Sequence, residues 1–209
     1  MFRLVVIAAA ALAATPVLAQ PAPAAGLFIS PAGEPFRAEP GQPYPLPVWF
    51  AGADADHDGA ISASEFEKDA LRFFAVLDAN HDGKITGPET RAYETDIAPE
   101  IVRKIPLLSD RASARPSDAM RTLPPPAGGA TRLRPPNEGA GFYALLNEPQ
   151  PVTAADIDFN SIITPQEWSA AAKRRFTRLD KTADRQLRAE ELPVPPVQAL
   201  MQADAAARR

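Results

Sequence analysis

Four acidic segments of twelve residues give this chain an internal repeat. They begin at Asp54, Asp78, Asp156 and Asp180, so the two starts in each half lie 24 residues apart. A repeat at a fixed spacing indicates one structural unit used twice. The residues between the two segments of one half suffice for a single helix, roughly 20 Å long. Such a helix would hold its two segments at opposite ends.

The first two segments carry oxygen-bearing groups in an order that suits a hard cation. Calcium loops of this length bind through positions 1, 3 and 5, a backbone carbonyl at 7, a side chain or water at 9 and a bidentate Glu at 12. In loop 1 (residues 54–65) these positions are Asp54, Asp56, Asp58, Ala60, Ser62 and Glu65. In loop 2 (residues 78–89) they are Asp78, Asn80, Asp82, Lys84, Thr86 and Glu89. Position 6 needs a positive φ and is glycine in both loops, so both are predicted to bind calcium.

Loop 3 (residues 156–167) keeps a complete ligand set. Its ligand positions are Asp156, Asp158, Asn160, Ile162, Thr164 and Glu167. It lacks the glycine, and Ser161 at position 6 must adopt a left-handed conformation that costs about 1 kcal/mol relative to glycine. That cost is small beside the binding energy of a metal, so loop 3 is a third candidate calcium site.

Loop 4 (residues 180–191) departs from the pattern. Thr182 stands at position 3, Arg185 at position 6 and Arg188 at position 9. Its formal charge is −1, from four acids less three bases, against −4 in loop 1, −2 in loop 2 and −3 in loop 3. Cations inside the loop would repel calcium at close range. We expect loop 4 to be a structural relic.

The loops also carry helix-start signals. Loops 1 to 3 each end in S/T-x-x-E, the capping-box pattern, so the residues that close the metal site also begin a helix. Helices are predicted over 65–77 and 167–179. In both, apolar residues recur at helical spacing and are predicted to form the core: Phe66, Ala70, Phe73, Phe74, Leu77, Trp168, Ala172, Phe176 and Leu179.

These loops resemble the EF-hands of secreted bacterial calcium-binding proteins, over about residues 48–98 and 152–192. The 24-residue spacing is similar to that of lanmodulin, a periplasmic lanthanide-binding EF-hand family. This chain differs in having no Pro at position 2, no Asp at position 9 and a long Pro-rich connection between its halves.

EF-hand loops pair through a short β-bridge at position 8, which implies a packing for the two halves. The position 8 residues are Ile61, Ile85, Ile163 and Leu187. Since one helix separates the two loops of each half, those two loops cannot pair with each other. The solution with approximate two-fold symmetry pairs loop 1 with loop 4 and loop 2 with loop 3. The two helices would then lie antiparallel.

The predicted fold is mainly α, with two tandem EF-hand pairs packed with approximate two-fold symmetry. The pairs occupy residues 48–105 and 141–209, joined by a Pro-rich linker at 106–140 that is expected to be disordered in part. A Pro-rich, irregular N-terminal arm at 20–47 contains a predicted small hairpin that turns through Pro31–Glu34.

Residues 1–19 have the pattern of a signal peptide. Arg3 precedes an apolar run too short to span a bilayer, and Ala19 offers a small residue before the cut. The chain has no cysteine, hence no disulfide and no lipid-attachment site. We expect a periplasmic or secreted protein that has no membrane association after cleavage.

Several function classes are disfavoured. Without the signal segment the chain has 21 basic and 26 acidic residues, a net charge of −5. This acidic balance disfavours a nucleic-acid-binding protein, which would carry a basic surface. Its two histidines, His57 and His81, sit at position 4 of loops 1 and 2. A Ser-His-Asp triad could not be built around them without dismantling the calcium sites, so an enzyme is disfavoured.

The sequence therefore predicts a noncatalytic calcium-binding protein in which calcium stabilises or switches the fold. The alternatives are a calcium-dependent interaction module with an unknown protein partner, and a lanthanide-binding protein.

Overall fold

The computed structural model of the protein describes residues 26–39, 41–102 and 138–207. The predicted signal peptide and nearly all of the predicted linker lie outside these residues. The described part is mainly α, as expected from the sequence. None of its helices is long and apolar enough to cross a membrane.

The α-helices are α1 (Leu46–Ala53), α2 (Ala63–Leu77), α3 (Gly87–Ala92), α4 (Pro165–Leu179) and α5 (Pro196–Ala207). The strands are β1 (Leu27–Ile29), β2 (Pro35–Arg37), β3 (Ala60–Ser62) and β4 (Gln186–Arg188). Short helical segments are the π-helical Tyr93–Ile97 and the 3-10 turns Pro99–Ile101, Gly139–Phe142, Thr153–Ala155 and Ala189–Glu191.

The helices α2 and α4 form the centre of the molecule. Both begin with the predicted capping box, in which the hydroxyls of Ser62 and Thr164 each accept a hydrogen bond from the backbone N–H of the Glu three residues later. The apolar stripe predicted for both helices is buried and belongs to one core cluster. The sequence prediction of the two helices and of their core face is confirmed.

Aromatic contacts fix the direction in which α2 and α4 cross. Phe66 near the start of α2 meets Phe176 near the end of α4, with ring centroids 5.5 Å apart. Phe74 near the end of α2 meets Trp168 near the start of α4 at 5.8 Å. The Trp168 indole N–H also donates to the carbonyl oxygen of Ala70 at 2.7 Å. The two helices therefore run in opposite directions.

The loops pair as the repeat predicts. Strand β3 of loop 1 lies antiparallel to β4 of loop 4, with Ile61 opposite Leu187. At the other end, Ile85 of loop 2 and Ile163 of loop 3 exchange two backbone hydrogen bonds of 2.9 and 2.8 Å. All four position 8 side chains are buried, so each loop pair closes one end of the helix pair.

The predicted hairpin near the N-terminus is present and belongs to the core. Strands β1 and β2 pair antiparallel, and the turn between them includes Gly33 at φ +102°. The side chains of β1 are fully buried, and the ring centroid of Phe28 lies 5.5 Å from that of Trp49 in α1. The Tyr93 hydroxyl donates to the Gly33 carbonyl at 2.7 Å. These residues are part of the packed domain rather than of an irregular arm.

The two halves differ after their second loops. Helix α3 begins inside loop 2, at Gly87, whereas loop 4 ends in the turn Ala189–Glu191 and the next helix, α5, begins only at Pro196. Pro193 lies two residues beyond this turn, and a residue that precedes proline is disfavoured in the helical region. No helix therefore continues directly from loop 4, as α3 does from loop 2.

A buried charge anchors α4. Arg175 is only 3% exposed, and its guanidinium donates to Glu148 at 2.8 Å and to the carbonyl oxygen of Pro151 at 2.6 Å. Burial lowers the pKa of Arg175, an effect that the Glu148 carboxylate opposes. The exposed Arg178 binds the other oxygen of the same carboxylate at 2.5 Å. Glu148 therefore ties the segment before loop 3 to α4.

We expect the variant Glu148→Gln to lower the free energy of unfolding by about 2–4 kcal/mol, because it leaves the Arg175 charge buried without a counter-ion. The matched control Arg178→Ala removes an exposed cation from the same carboxylate and should cost about 0–1 kcal/mol. Urea denaturation at fixed calcium measures both values. Equal losses in the two variants would contradict the assignment of the anchor to Arg175.

Candidate metal centre

All four loops share one backbone shape at positions 4 and 6. Position 4 has φ +59° in every loop, and it is His57, His81, Phe159 and Ala183. Position 6 is also left-handed throughout, at Gly59, Gly83, Ser161 and Arg185. The predicted conformation of Ser161 is confirmed, with φ +64°. The left-handed residue at position 4 was missed by the sequence analysis, because its varied side chains give no signal.

In loop 1 the first and last acidic residues organise the backbone. Asp54 is buried and accepts hydrogen bonds from the N–H groups of Asp58 at 3.2 Å and Gly59 at 3.1 Å. Glu65 is buried too, and its two oxygens bind opposite ends of the loop, the Ala55 N–H at 2.9 Å and the Ser62 N–H at 2.9 Å. The carboxylates at positions 1 and 12 are thus held facing the loop interior.

Loops 1 and 3 each gather three acidic side chains. One oxygen from each of Asp54, Asp56 and Asp58 lies within 4.8 Å of the others. In loop 3 the same holds for Asp156, Asp158 and Glu167. Oxygens bound to one calcium at 2.3–2.6 Å lie within about 5 Å of each other. Both groups are therefore compact enough for a single calcium ion.

Loop 2 has the same framework with fewer acids. Asp78 accepts from the N–H groups of Asp82 at 3.0 Å and Gly83 at 2.9 Å, as Asp54 does in loop 1. Glu89 accepts from the N–H of Thr86 at 2.8 Å. Asn80 replaces the carboxylate of position 3, so this loop has less charge to offer a cation.

The position 9 hydroxyls are engaged with the closing glutamates. Ser62, Thr86 and Thr164 donate to Glu65, Glu89 and Glu167 at 2.7, 2.9 and 2.8 Å, respectively. A water molecule at position 9 fits this arrangement better than direct ligation. The predicted position 7 residues Ala60, Lys84 and Ile162 each precede the residue that bridges two loops.

Hydrogen bonds favour the ionised form of two of the closing carboxylates, Glu65 and Glu167. The Ser62 hydroxyl and backbone N–H lower the pKa of Glu65 to about 2. The backbone N–H and then the hydroxyl of Thr164 lower the pKa of Glu167. Since a cation binds the deprotonated form, both groups are ready to bind a metal at neutral pH.

In loop 4 an arginine binds the groups that would bind a cation. The Arg188 guanidinium donates to Asp184 at position 5 at 2.6 Å and lies 3.9 Å from Glu191 at position 12. Its hydrogen bond lowers the pKa of Asp184. A second Arg188 nitrogen donates to Gln186 at 2.5 Å. This internal cation gives a physical reason for the prediction that loop 4 is a relic.

The histidines do not contribute to the candidate metal centre. His57 and His81 are exposed at position 4, where the sequence analysis placed them.

Comparison with known proteins agrees with the geometry of the first half. A family model for the EF hand matches residues 48–68 and 72–92. The matched segments include loops 1 and 2 and part of the helix that precedes each loop. No curated protein and no solved structure matches the chain. The tandem matches and the acidic clusters together support an EF-hand calcium-binding protein.

We expect that loop 4 can be converted into a calcium site. The triple variant Thr182→Asp, Arg185→Gly and Arg188→Ser removes the internal cation and gives the loop a formal charge of −4, from five acids less Lys181. Calorimetric titration should find one more calcium site than in the parent protein. The single variant Arg185→Gly, which keeps Arg188, is the control and should add none. An unchanged stoichiometry in the triple variant would contradict this interpretation of loop 4.

Proposed function

We propose that this chain is a noncatalytic calcium-binding EF-hand protein of the periplasm or extracellular space, with sites in loops 1, 2 and 3. The observation that carries the proposal is the convergence of acidic oxygens in loops 1 and 3, within 4.8 Å in each. The EF-hand matches at loops 1 and 2 support it. EF-hands are typically noncatalytic.

Calcium in these sites would stabilise the fold, because each loop joins two elements of the core. Asp54 directly follows α1 and Glu65 lies in α2, so an ion held by both links the two helices. An ion in loop 2 links the end of α2 with α3. Without a cation, the clustered carboxylates of Asp54, Asp56 and Asp58 repel one another at close range.

An extracytoplasmic location agrees with such a role. Extracellular calcium modules function with dissociation constants of ~10⁻⁴–10⁻³ M. The predicted signal peptide supplies the export route, and a protein without cysteine needs no disulfide to persist there.

We infer further that the two halves are related by an approximate two-fold axis. The antiparallel crossing of α2 and α4 and the pairing of loop 1 with loop 4 and of loop 2 with loop 3 support this relation. In such an arrangement, the ions of loops 2 and 3 occupy the same end of the molecule.

Two alternatives remain as candidate functions. A calcium-dependent interaction module would expose apolar surface on binding, as sensor EF-hands do. A lanthanide-binding protein would use the same oxygens, which suit a trivalent ion of similar size. The 24-residue spacing of the loops favours this second alternative, because it is similar to the spacing in lanmodulin.

Calorimetric titration with calcium tests the proposal. The protein should bind three ions, and Glu65→Gln, Glu89→Gln and Glu167→Gln should each remove one. The matched control is Glu191→Gln at position 12 of loop 4, which should change nothing. Tight binding of La³⁺ with no heat of calcium binding would support the lanthanide alternative. No heat of binding with either ion would refute metal binding altogether.

Thermal unfolding separates a stabilising role from a sensor role. An ion at 100 times its dissociation constant adds about 2.7 kcal/mol of stability, and each kcal/mol shifts the Tm of a chain this size by about 2–4 °C. We expect calcium to raise the Tm by at least 5–10 °C, a rough value for one saturated site. Binding of an apolar dye should not rise. A calcium-dependent rise in dye fluorescence would instead favour the interaction module.

A further inference from the structure

Loop 3 presents three large apolar side chains to solvent. Ile157, Phe159 and Ile162 stand at positions 2, 4 and 7 of the loop and are 52%, 88% and 37% exposed. We call these three residues the loop 3 tip. Among the described residues, Phe159 is the most exposed large apolar side chain.

Neither metal binding nor folding accounts for the loop 3 tip. The other loops have the same backbone with smaller or polar residues at positions 2, 4 and 7, which are Ala55, His57, Ala60, Ala79, His81, Lys84, Lys181, Ala183 and Gln186. Position 4 is left-handed, a conformation that disfavours a bulky side chain. Phe159 extends outward and adds almost nothing to the core. Three large apolar side chains exposed on one loop make this surface a candidate interaction site.

The size and shape of the loop 3 tip favour a lipid surface over a protein partner. A stable protein interface needs roughly 800 Å² from each partner. Three side chains on one loop supply far less than this area. Interfacial membrane binding needs no matching groove and scales with the apolar area that enters the boundary between headgroups and acyl chains. A protruding Phe flanked by two Ile residues fits that environment.

We propose that the loop 3 tip inserts into the interface of a zwitterionic phospholipid bilayer when calcium occupies loop 3. This inference rests on the proposed calcium site in that loop. It revises the sequence-based expectation that the processed chain has no membrane association.

Charge makes the insertion depend on calcium. Asp156, Asp158 and Glu167 give loop 3 a formal charge of −3, which opposes transfer of the neighbouring tip from water into a medium of low dielectric constant. A bound calcium ion reduces this charge to −1. Because the loop stays acidic even then, attraction to anionic headgroups is not the driving force, and neutral headgroups suffice.

A tryptophan reporter at the tip tests the proposal. The native Trp49 and Trp168 are each 1% exposed and lie in the core, so a spectral change in Phe159→Trp would report on the tip. When calcium and phosphatidylcholine vesicles are both present, the fluorescence emission of this variant should shift to shorter wavelength. Brominated lipid in the vesicles should then quench it. Neither change should occur when a chelator replaces calcium.

Vesicle sedimentation of the protein without the tryptophan reporter measures the partition coefficient between water and the bilayer. Phe159→Ser should reduce the calcium-dependent partition coefficient about tenfold or more, from the loss of one buried Phe. The control Val76→Ser removes an exposed apolar side chain from α2 and should leave the coefficient unchanged. Calorimetry on Phe159→Ser should still find the calcium sites of the parent protein.

The outcomes separate this inference from the proposed function. Calcium binding in loop 3 without vesicle partition would overturn membrane insertion and leave the calcium function standing. If Glu167→Gln binds as many calcium ions as the parent protein, the loop 3 site is refuted, and calcium-dependent insertion is refuted with it. Partition that needs anionic lipid and survives Phe159→Ser would mean headgroup bridging by calcium, which also overturns the inference.

Discussion

The antiparallel contact between α2 and α4 is the interaction on which the rest of the structure depends. Each helix holds one loop at each end, so their opposite directions bring loop 1 to loop 4 and loop 2 to loop 3. The pairing places Ile61 against Leu187 and Ile85 against Ile163, all of them buried. The position of every candidate metal site therefore follows from the packing of one helix pair.

This dependence explains why a loop with three basic residues keeps the shape of a calcium loop. Loop 4 supplies strand β4 to β3 of loop 1, and Leu187 completes the core at that end. The Arg188 guanidinium donates to the side chains of Asp184 and Gln186, so the carboxylate at position 5 already has a cationic partner. The pairing surface persists although the groups inside the loop have changed.

Much of this organisation could be predicted from the sequence, since the spacing of the loops and the apolar stripes are local signals. The 24-residue repeat leaves room for one helix between the loops of each half, which excludes their pairing with each other, and approximate two-fold symmetry then predicts which loops pair. The contacts of Glu148 with Arg175 and of Gly33 with Tyr93 join residues 27 and 60 positions apart. No periodic pattern links such residues, so only the packed structure reveals these contacts.

The sequence predicted which residues of loop 3 could bind a metal but showed no function for the remaining positions. Positions 2, 4 and 7 are free of ligand side chains, so they can vary without loss of the loop backbone. In loops 1 and 2, position 4 is a histidine exposed to solvent, whereas in loop 3 it is Phe159. In loops 1 to 3 the predicted ligand positions thus suit a cation, and the positions between them are open to a separate role. A sequence pattern built on ligand positions cannot detect that role, because it ignores the residues between them.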